Sequence, residues 1–265
     1  MRLFSPLIFL ALALVGLPND VRAQAQFDLS PMLSHYRHRE TTDDGRTLNR
    51  ERGMLYGVAL STRYPLGPQW YGRAHGQWMG GRIDYTGVTQ ANRPLSTHTE
   101  YDDRRLGLAL EHCLGQCRTR LSAGVEHTRR ERDIRPTSDS LRLFETFTGW
   151  DWHLGASQRL LAPLTVNARA VYSRSATVRP DLSVIGYGTP TVPLPSSWGA
   201  DLGLDWSLIS RNGLDGKVFI QYEWRESPSS DAVQVSNARG QQISVNQPNT
   251  RVEQWQLGLS LTWRR

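Results

Sequence analysis

Four pairs of aromatic residues, each pair eight positions apart, constrain the fold of this chain more than any other feature. The pairs are Tyr56 and Tyr64, Trp70 and Trp78, Trp198 and Trp206, and Trp255 and Trp263. An even spacing places both members of a pair on one face of a β-strand, because side chains alternate with period two. Eight residues rise about 26 Å along a strand, or roughly 20 Å along a membrane normal at a tilt of ~40°. The spacing therefore matches the height of an apolar band bounded by two aromatic girdles.

The residues between the paired aromatics support the same interpretation. The shared face stays apolar at Val58 and Leu60, at Ala200, Leu202 and Leu204, and at Leu257, Leu259 and Leu261. The opposite face is small or polar, as in the series Gly199, Asp201, Gly203 and Asp205. An apolar face bounded by aromatics at both ends predicts a transmembrane β-barrel with lipid outside and a polar interior.

The first residues predict a secretory signal peptide. Arg2 precedes an apolar run from Leu3 to Leu17, and small residues allow cleavage after Ala23 or Ala25. We therefore expect a cleaved signal over 1–23 and a barrel over 24–265, with an uncleaved anchor helix as the alternative. No later stretch approaches the length of a membrane helix, and the mean hydropathy of −0.48 excludes a helical membrane protein.

The charge balance is basic, with a formal net charge of +6 and Lys217 as the only lysine. Nucleic acid is not an expected partner, because an exported chain rarely meets it. In an outer membrane the available anions are lipopolysaccharide phosphates, which arginine binds bidentately. Codon usage in a GC-rich genome is the alternative explanation for the lack of lysine.

The two cysteines, Cys113 and Cys117, are separated by only three residues. Residues that face each other at a hairpin neck can have Cα atoms about 5.5 Å apart, as a disulfide requires. A metal site would need more ligands than the adjacent His112 adds. We expect a structural disulfide across a turn.

Ten strand-like segments can be identified, joined alternately by short and long connections. They cover residues 27–38, 51–65, 69–85, 99–112, 118–130, 143–160, 164–178, 197–209, 217–226 and 250–263. Short connections lie at 65–68, 113–117, 161–163 and 210–213, and long ones near 40–49, 86–99, 131–142, 179–197 and 226–250. This pattern predicts an all-β, up-and-down antiparallel barrel with short periplasmic turns and long extracellular loops. Eight strands are the alternative, and residues 233–245 predict a hairpin within the last long loop.

With its signal peptide, girdle pairs and final strand, the chain resembles the small Gram-negative outer-membrane β-barrels over its whole mature length. The final strand, Trp255-Gln-Leu-Gly-Leu-Ser-Leu-Thr-Trp263, looks like the C-terminal signal read by the barrel assembly machinery. It departs from that pattern because Arg264 and Arg265 follow the terminal aromatic. The resemblance implies an outer-membrane location, with outer-membrane lipids and the assembly machinery as partners.

Two classes of barrel enzyme provide candidate chemistry. Ten-stranded barrels include the omptin proteases, which use carboxylates and an Asp–His pair at the extracellular rim. The nearest candidates here are Asp151 and His153, with Asp84, Asp102 and Asp103. However, Asp151 and His153 fall well inside the sixth predicted strand, where a buried lumen ion pair is the simpler interpretation.

Lipid A-modifying barrels are the second class, and His127-Thr128 is the best match to their Ser/His chemistry. The simpler interpretation of His127 is an interfacial histidine. The sequence therefore assigns no catalytic, cofactor-binding or metal-binding residue.

Charged side chains of both signs are expected to face the lumen. They are Arg63, Arg73, His75, Arg105, Glu111, Arg120, Glu126, Asp151, Arg169, Asp201, Asp205, Glu223 and Arg225. Mutual pairing would give a plugged interior, because an isolated buried charge is costly. The alternative is a narrow polar pore, for which lumen glycines leave room: Gly57, Gly107, Gly155, Gly199, Gly203 and Gly258.

Arginines are concentrated at the outward ends of the predicted strands and in the long loops. They are Arg37, Arg39, Arg46, Arg50, Arg52, Arg82, Arg129, Arg130, Arg132, Arg135 and Arg142. We expect them to bind lipopolysaccharide phosphates, unless they pair with the loop acids Glu40, Asp43, Asp44, Glu51, Glu131, Asp133 and Asp139. The function expected from the sequence is a non-enzymatic structural or adhesive surface barrel, with a narrow channel and a surface hydrolase as alternatives.

Overall fold

The computed structural model describes residues 25–88, 93–138, 140–211 and 213–264. The predicted signal peptide over 1–23 lies outside the described residues. Within the described ranges no helix is long and apolar enough to cross a bilayer.

Within these described ranges the chain forms thirteen strands and one short 3-10 helix, Ser183–Ile185. The strands are β1 (Gln26–Thr41), β2 (Thr47–Pro65), β3 (Trp70–Val88), β4 (Pro94–Leu114), β5 (Thr119–Ile134), β6 (Leu143–Arg159), β7 (Leu164–Asp181), β8 (Val192–Pro193), β9 (Ser197–Arg211), β10 (Leu214–Ser227), β11 (Val233–Ser236), β12 (Gln242–Val245) and β13 (Asn249–Arg264).

Ten of these strands form a closed antiparallel barrel, as the sequence predicts. The hydrogen-bonded order is β6-β5-β4-β3-β2-β1-β13-β10-β9-β7, and β7 pairs back onto β6. The first and last strands close the barrel, with Phe27 opposite Trp263 and Thr41 opposite Asn249. Closure leaves no unpaired sheet edge, which a strand structure in lipid requires.

The two ends of the barrel differ as expected, but the strands reach further into the long connections than predicted. β4 begins at Pro94 rather than near residue 99, and β7 continues to Asp181. The reason is that backbone pairing continues past the aromatic girdle, where polar residues on both faces no longer reveal a strand in the sequence. The hairpin predicted over 233–245 forms from β11 and β12.

The paired aromatics lie on the outer surface of the barrel. Trp198 and Trp206 are 62% and 50% exposed, and Trp255 and Trp263 are 52% and 43% exposed. At the long-loop end, aromatic rings contact each other between neighbouring strands, with centroid distances of 5.7 Å for Tyr56–Trp78, 5.0 Å for His127–Trp150, 4.6 Å for Tyr172–Trp198 and 4.7 Å for Tyr222–Trp255. These contacts form the aromatic girdle that faces the long-loop side.

The third barrel strand has small residues between its two tryptophans. Gly72 and Ala74 on β3 line a shallow, apolar external groove of about 870 Å³, together with Leu108, Ala123 and Trp152. These residues face the same side as the girdles, so the groove belongs to the lipid-facing surface.

A disulfide joins Cys113 and Cys117 across the turn between β4 and β5, with Cα atoms 4.6 Å apart. Gly115, Gln116 and Cys117 in this turn all have a positive φ.

Candidate functional site

The candidate functional site is the lumen, where the predicted inward charges are brought together. Every charge expected to face the lumen lies on the inner face of its strand or at the short-turn mouth. The structure groups these charges into clusters and adds an apolar layer that the sequence analysis did not predict.

Arg132 lies at the centre of the cluster nearest the long-loop end. Its guanidinium contacts Glu40 at 3.0 Å, Glu51 at 2.9 Å and Glu145 at 2.9 Å. The imidazole of His38 lies 3.2 Å from Glu40 and 3.5 Å from Glu51. We call these five residues the Arg132 cluster. The Arg132 side chain is 1% exposed and that of Glu51 is 0% exposed, so no water-sized gap lies beside them.

Hydrogen bonds from further elements complete the Arg132 cluster. Thr99 donates to Glu51 at 2.9 Å, and Asn49 donates to Glu40. Gln247, in the connection between β12 and β13, donates to Glu40 at 3.0 Å and is itself buried. The last long loop therefore contributes Gln247 to the charges at this end of the lumen.

An apolar plug follows the Arg132 cluster toward the barrel centre. It consists of Met32, Tyr36, Leu55, Met79, Ile83, Tyr101 and Val252, with Ala59 and Phe219 packed against it. The inward-facing residues of β1 show this order. Tyr36 belongs to the plug, and His38 and Glu40, further along the strand, belong to the Arg132 cluster. Tyr36 and Leu55 are 0% exposed. Apart from the hydroxyls of Tyr36 and Tyr101, the side chains of this layer have no strong hydrogen-bonding groups to replace the hydration shell of an ion, so the layer opposes ion passage.

A second charged group, the Arg105 cluster, lies on the other side of the plug. Arg105 contacts Glu223 at 2.9 Å and Asp103 at 3.2 Å, and Arg130 approaches Asp103 at 3.6 Å. Gln256 donates to Glu223 at 2.8 Å. Asp103 and Glu223 are thus both buried, and each lies beside an arginine.

Three more groups of charges fill the lumen toward the short turns. His75 contacts Glu126 at 2.6 Å, and Asp201 pairs with both Arg169 and Arg225. At the short-turn mouth, Glu111 lies among three arginines, at 2.6 Å from Arg63, 3.5 Å from Arg120 and 3.8 Å from Arg73. The lumen is therefore filled by paired charges over most of its length.

At two of the lumen glycines, the ring of a residue on a neighbouring strand fills the space beside the backbone. A Cβ added at Gly107 would lie 2.3 Å from the His75 ring, and one at Gly258 would lie 2.5 Å from the Phe219 ring. The prediction that such glycines leave room for a pore is wrong at these two positions, because rings from neighbouring strands occupy the space.

The residues considered for protease chemistry are not brought together. Asp102 faces outward and accepts a 2.9 Å hydrogen bond from the Trp78 indole, whereas Asp103 points into the lumen. Asp151 accepts from Ser173, and the predicted Asp151–His153 ion pair does not form. The His153 ring instead lies 6.4 Å from that of His75. Asp84 lies on the outer face of β3 and is exposed.

His127 and Thr128 point to opposite faces of β5. His127 stacks edge-on against Trp150 in the girdle, which agrees with the interfacial interpretation. Among the described residues no group of three or more His, Cys, Asp or Glu side chains is placed to hold a metal ion.

The arginines expected at the outer rim fall into three groups, apart from Arg46 and Arg82, which are exposed. Arg130 and Arg132 are not on the rim, because the inward parity of β5 turns both into the lumen. Arg129 pairs with Glu131 at 2.6 Å, Arg135 with Glu100 at 2.5 Å, and Arg142 with Asp133 at 2.6 Å.

The pairing alternative is therefore correct for these loop and β5 arginines. In the loop between β5 and β6, the hydrogen bond to Asp133 raises the pKa of the Arg142 guanidinium. Asp139 lies outside the described residues. Arg37, Arg39, Arg50 and Arg52 on β1 and β2 behave differently, because they face outward and make no such pairs within the described chain.

No protein-family model and no curated protein matches this sequence. Solved structures of outer-membrane barrels do resemble the fold. The outer membrane protease OmpT from Escherichia coli has a TM-score of 0.54 at 12% identity, covering 91% of this chain and 97% of its own. The translocator domain of the autotransporter NalP from Neisseria meningitidis has a TM-score of 0.50 at 11% identity, covering 98% and 96%. The likeness establishes an outer-membrane barrel fold, and identities this low show nothing about a shared activity.

Proposed function

We propose that this protein is a non-conducting barrel of the outer membrane, serving as a structural or adhesive scaffold whose long loops form the exposed surface. The observation that carries the proposal is the apolar plug under the Arg132 cluster. Plug and cluster together contain eleven residues that are less than a tenth exposed, namely Met32, Tyr36, His38, Glu40, Glu51, Leu55, Met79, Ile83, Tyr101, Arg132 and Val252. A lumen closed in this way favours a scaffold over a channel.

The orientation in this proposal places the long-loop end outside the cell. Bacterial barrels have short periplasmic turns and longer extracellular loops, and this chain has both kinds at opposite ends. The final strand, β13, would carry the signal read by the barrel assembly machinery, since its outward face alternates apolar residues between Trp255 and Trp263. The residues exposed to other cells would be those of the long connections and the β11–β12 hairpin.

A hydrolase is less well supported than a scaffold. The outer membrane protease OmpT shares the fold, but the aspartates and histidines that the sequence suggested here lie on different faces and at different depths. Asp102 and Asp103 are adjacent in sequence and point to opposite sides of the barrel wall. A rim catalytic group would need these side chains to converge on one solvent-accessible point.

Conductance in planar bilayers tests the proposal. The wild-type protein should show no discrete openings above the lipid baseline. The positive control is a triple variant, Leu55→Ala, Met79→Ala and Ile83→Ala, which truncates three of the seven plug side chains and should produce a measurable leak. Insertion of both proteins is verified by the gel shift of the folded barrel on heating. Regular single-channel openings of the wild type would contradict the scaffold and support the channel alternative.

A further inference from the structure

Four exposed arginines form two directly opposed pairs on the outer face of β1 and β2. In the antiparallel register Arg37 lies opposite Arg52, and Arg39 lies opposite Arg50. We call these four residues the arginine patch. Like charges placed directly opposite each other on one sheet face are destabilising. Two such pairs lie next to each other here. An anion bound between them would remove the repulsion between their positive charges.

Within the described chain, no carboxylate forms an ion pair with the patch. None of its four guanidiniums forms an ion pair or a side-chain hydrogen bond with another described residue. Glu253 lies opposite Arg37 in the register, but its carboxylate forms an ion pair with Arg251 at 2.6 Å. Asp84 lies opposite Arg52 in the register without forming an ion pair.

Other outward arginines near the same end of the barrel have partners. Arg104 contacts Asp102 at 2.7 Å, and Arg129 contacts Glu131 at 2.6 Å. The exposed charges of β4 and β5 are therefore satisfied within the protein. The charges of β1 and β2 remain available to an external anion.

The patch begins directly beyond the aromatic girdle. One outward row contains Trp255, His35 and Met54, and the next row toward the long loops contains Arg37 and Arg52. Successive outward residues on a strand are about 7 Å apart, and neighbouring strands are about 4.8 Å apart. The four guanidiniums thus lie within a small area just outside the apolar belt. In a bilayer this is the depth of the lipid headgroups.

We propose that the arginine patch binds the phosphate groups of an outer-leaflet glycolipid of the lipopolysaccharide type. Guanidinium groups match phosphate geometry bidentately, and two opposed pairs suit a headgroup that carries two phosphates. The lipid source follows from position, since the apolar surface below the patch, including Leu33 and Tyr56, would contact the acyl chains of the same molecule. The site rests on the orientation given under Proposed function, with the long-loop end outside.

Binding of purified lipopolysaccharide to the refolded protein in non-ionic detergent tests the site. The patch variant changes Arg37, Arg39, Arg50 and Arg52 to Gln. The matched control changes the paired outward residues Arg104 and Arg129 to Gln. The patch variant should bind lipopolysaccharide roughly tenfold more weakly than wild type at low salt, and the control should stay close to wild type. The difference should shrink as the salt concentration rises.

Two further arms identify the ligand. Lipopolysaccharide from which the phosphates have been removed should bind wild type and patch variant equally. Inorganic pyrophosphate should bind wild type far more weakly than lipopolysaccharide does, because it lacks acyl chains. Equal affinity of wild type and patch variant for intact lipopolysaccharide overturns the site, and pyrophosphate binding as tight as that of lipopolysaccharide overturns the lipid assignment.

Thermal unfolding without lipid gives an independent readout of the same charges. In lipid-free detergent the patch variant should unfold at a higher temperature than wild type, because the opposed like charges are gone. A lower unfolding temperature would overturn the argument from uncompensated charge. Neither readout depends on whether the lumen conducts, so failure of the scaffold proposal in the conductance assay is distinguishable from failure of this site.

Discussion

Replacing Arg132 by Met should destabilise the folded barrel strongly. The guanidinium contacts three carboxylates, those of Glu40, Glu51 and Glu145, at 2.9–3.0 Å, and its side chain is 1% exposed. Met retains much of the volume but removes the only guanidinium of the Arg132 cluster. Breaking a buried ion pair by removing one partner costs about 3–5 kcal/mol, because an uncompensated buried charge remains. We expect a loss in the free energy of unfolding at or above the lower end of this range.

The assay is reversible urea unfolding of the barrel in lipid vesicles, followed by tryptophan fluorescence. The matched control is Arg129→Met on the same strand; among the described residues Arg129 pairs only with Glu131, and its side chain is 52% exposed. An exposed pair contributes at most about 1 kcal/mol, so the control should differ little from wild type. Combining Arg132→Met with Glu40→Gln and Glu51→Gln should recover part of the loss. An Arg132→Met barrel as stable as its control would refute the buried-cluster account.

Two further predictions concern the lipid face and the turn. Leu202→Arg places a charge midway between the girdles on an outward position that is 57% exposed, and it should cost about 2–4 kcal/mol of folding free energy in bilayers. Ala238→Arg, in the exposed turn of the β11–β12 hairpin, should fold like wild type, and equal yields for both variants would refute the assigned orientation of β9. Mass spectrometry of the unreduced protein should find no alkylatable thiol, because Cys113 and Cys117 are bridged, and complete labelling of both would show an open turn.

The wall of the barrel could be predicted from the sequence because it depends on local periodicity. Alternation with period two and the girdle spacing identify all ten strands, and they reveal the lipid face most clearly on the second, eighth, ninth and tenth. Polar segments beyond the girdle lack that signal, so the predicted ends are too short. The same lack of signal explains the error at Arg130 and Arg132, which follow Arg129 in a run where both faces of β5 are charged.

The lumen could be predicted only in part. Which residues face inward follows from the alternation of side chains along each strand. Which charges meet depends on the stagger between strands around the barrel. Arg105 and Glu223 are 118 positions apart in the chain, and Arg132 and Glu51 are 81 apart. No short-range pattern encodes such contacts.

The apolar plug gave no recognisable sequence signal. Leu55 is the one large apolar residue on the inner face of β2, where it lies between Gly53 and Gly57. A Cβ added at Gly53 would lie 2.7 Å from the Ile83 side chain, so the glycine makes room for a plug residue of the neighbouring strand. The sequence alone does not give the register between β2 and β3. Without it, Gly53 and Gly57 indicate empty space rather than a packed layer.

Thiol accessibility inside the lumen tests the sealed barrel most directly. Leu55→Cys places a single free thiol in the plug, at a position that is 0% exposed in the native chain, and Ala238→Cys places one in the exposed hairpin turn. A small charged thiol reagent added to the folded barrel from both sides should label Ala238→Cys completely. It should leave Leu55→Cys unmodified until the protein is unfolded. Labelling of the two thiols at comparable rates in the folded state would show a water-filled passage and contradict the account.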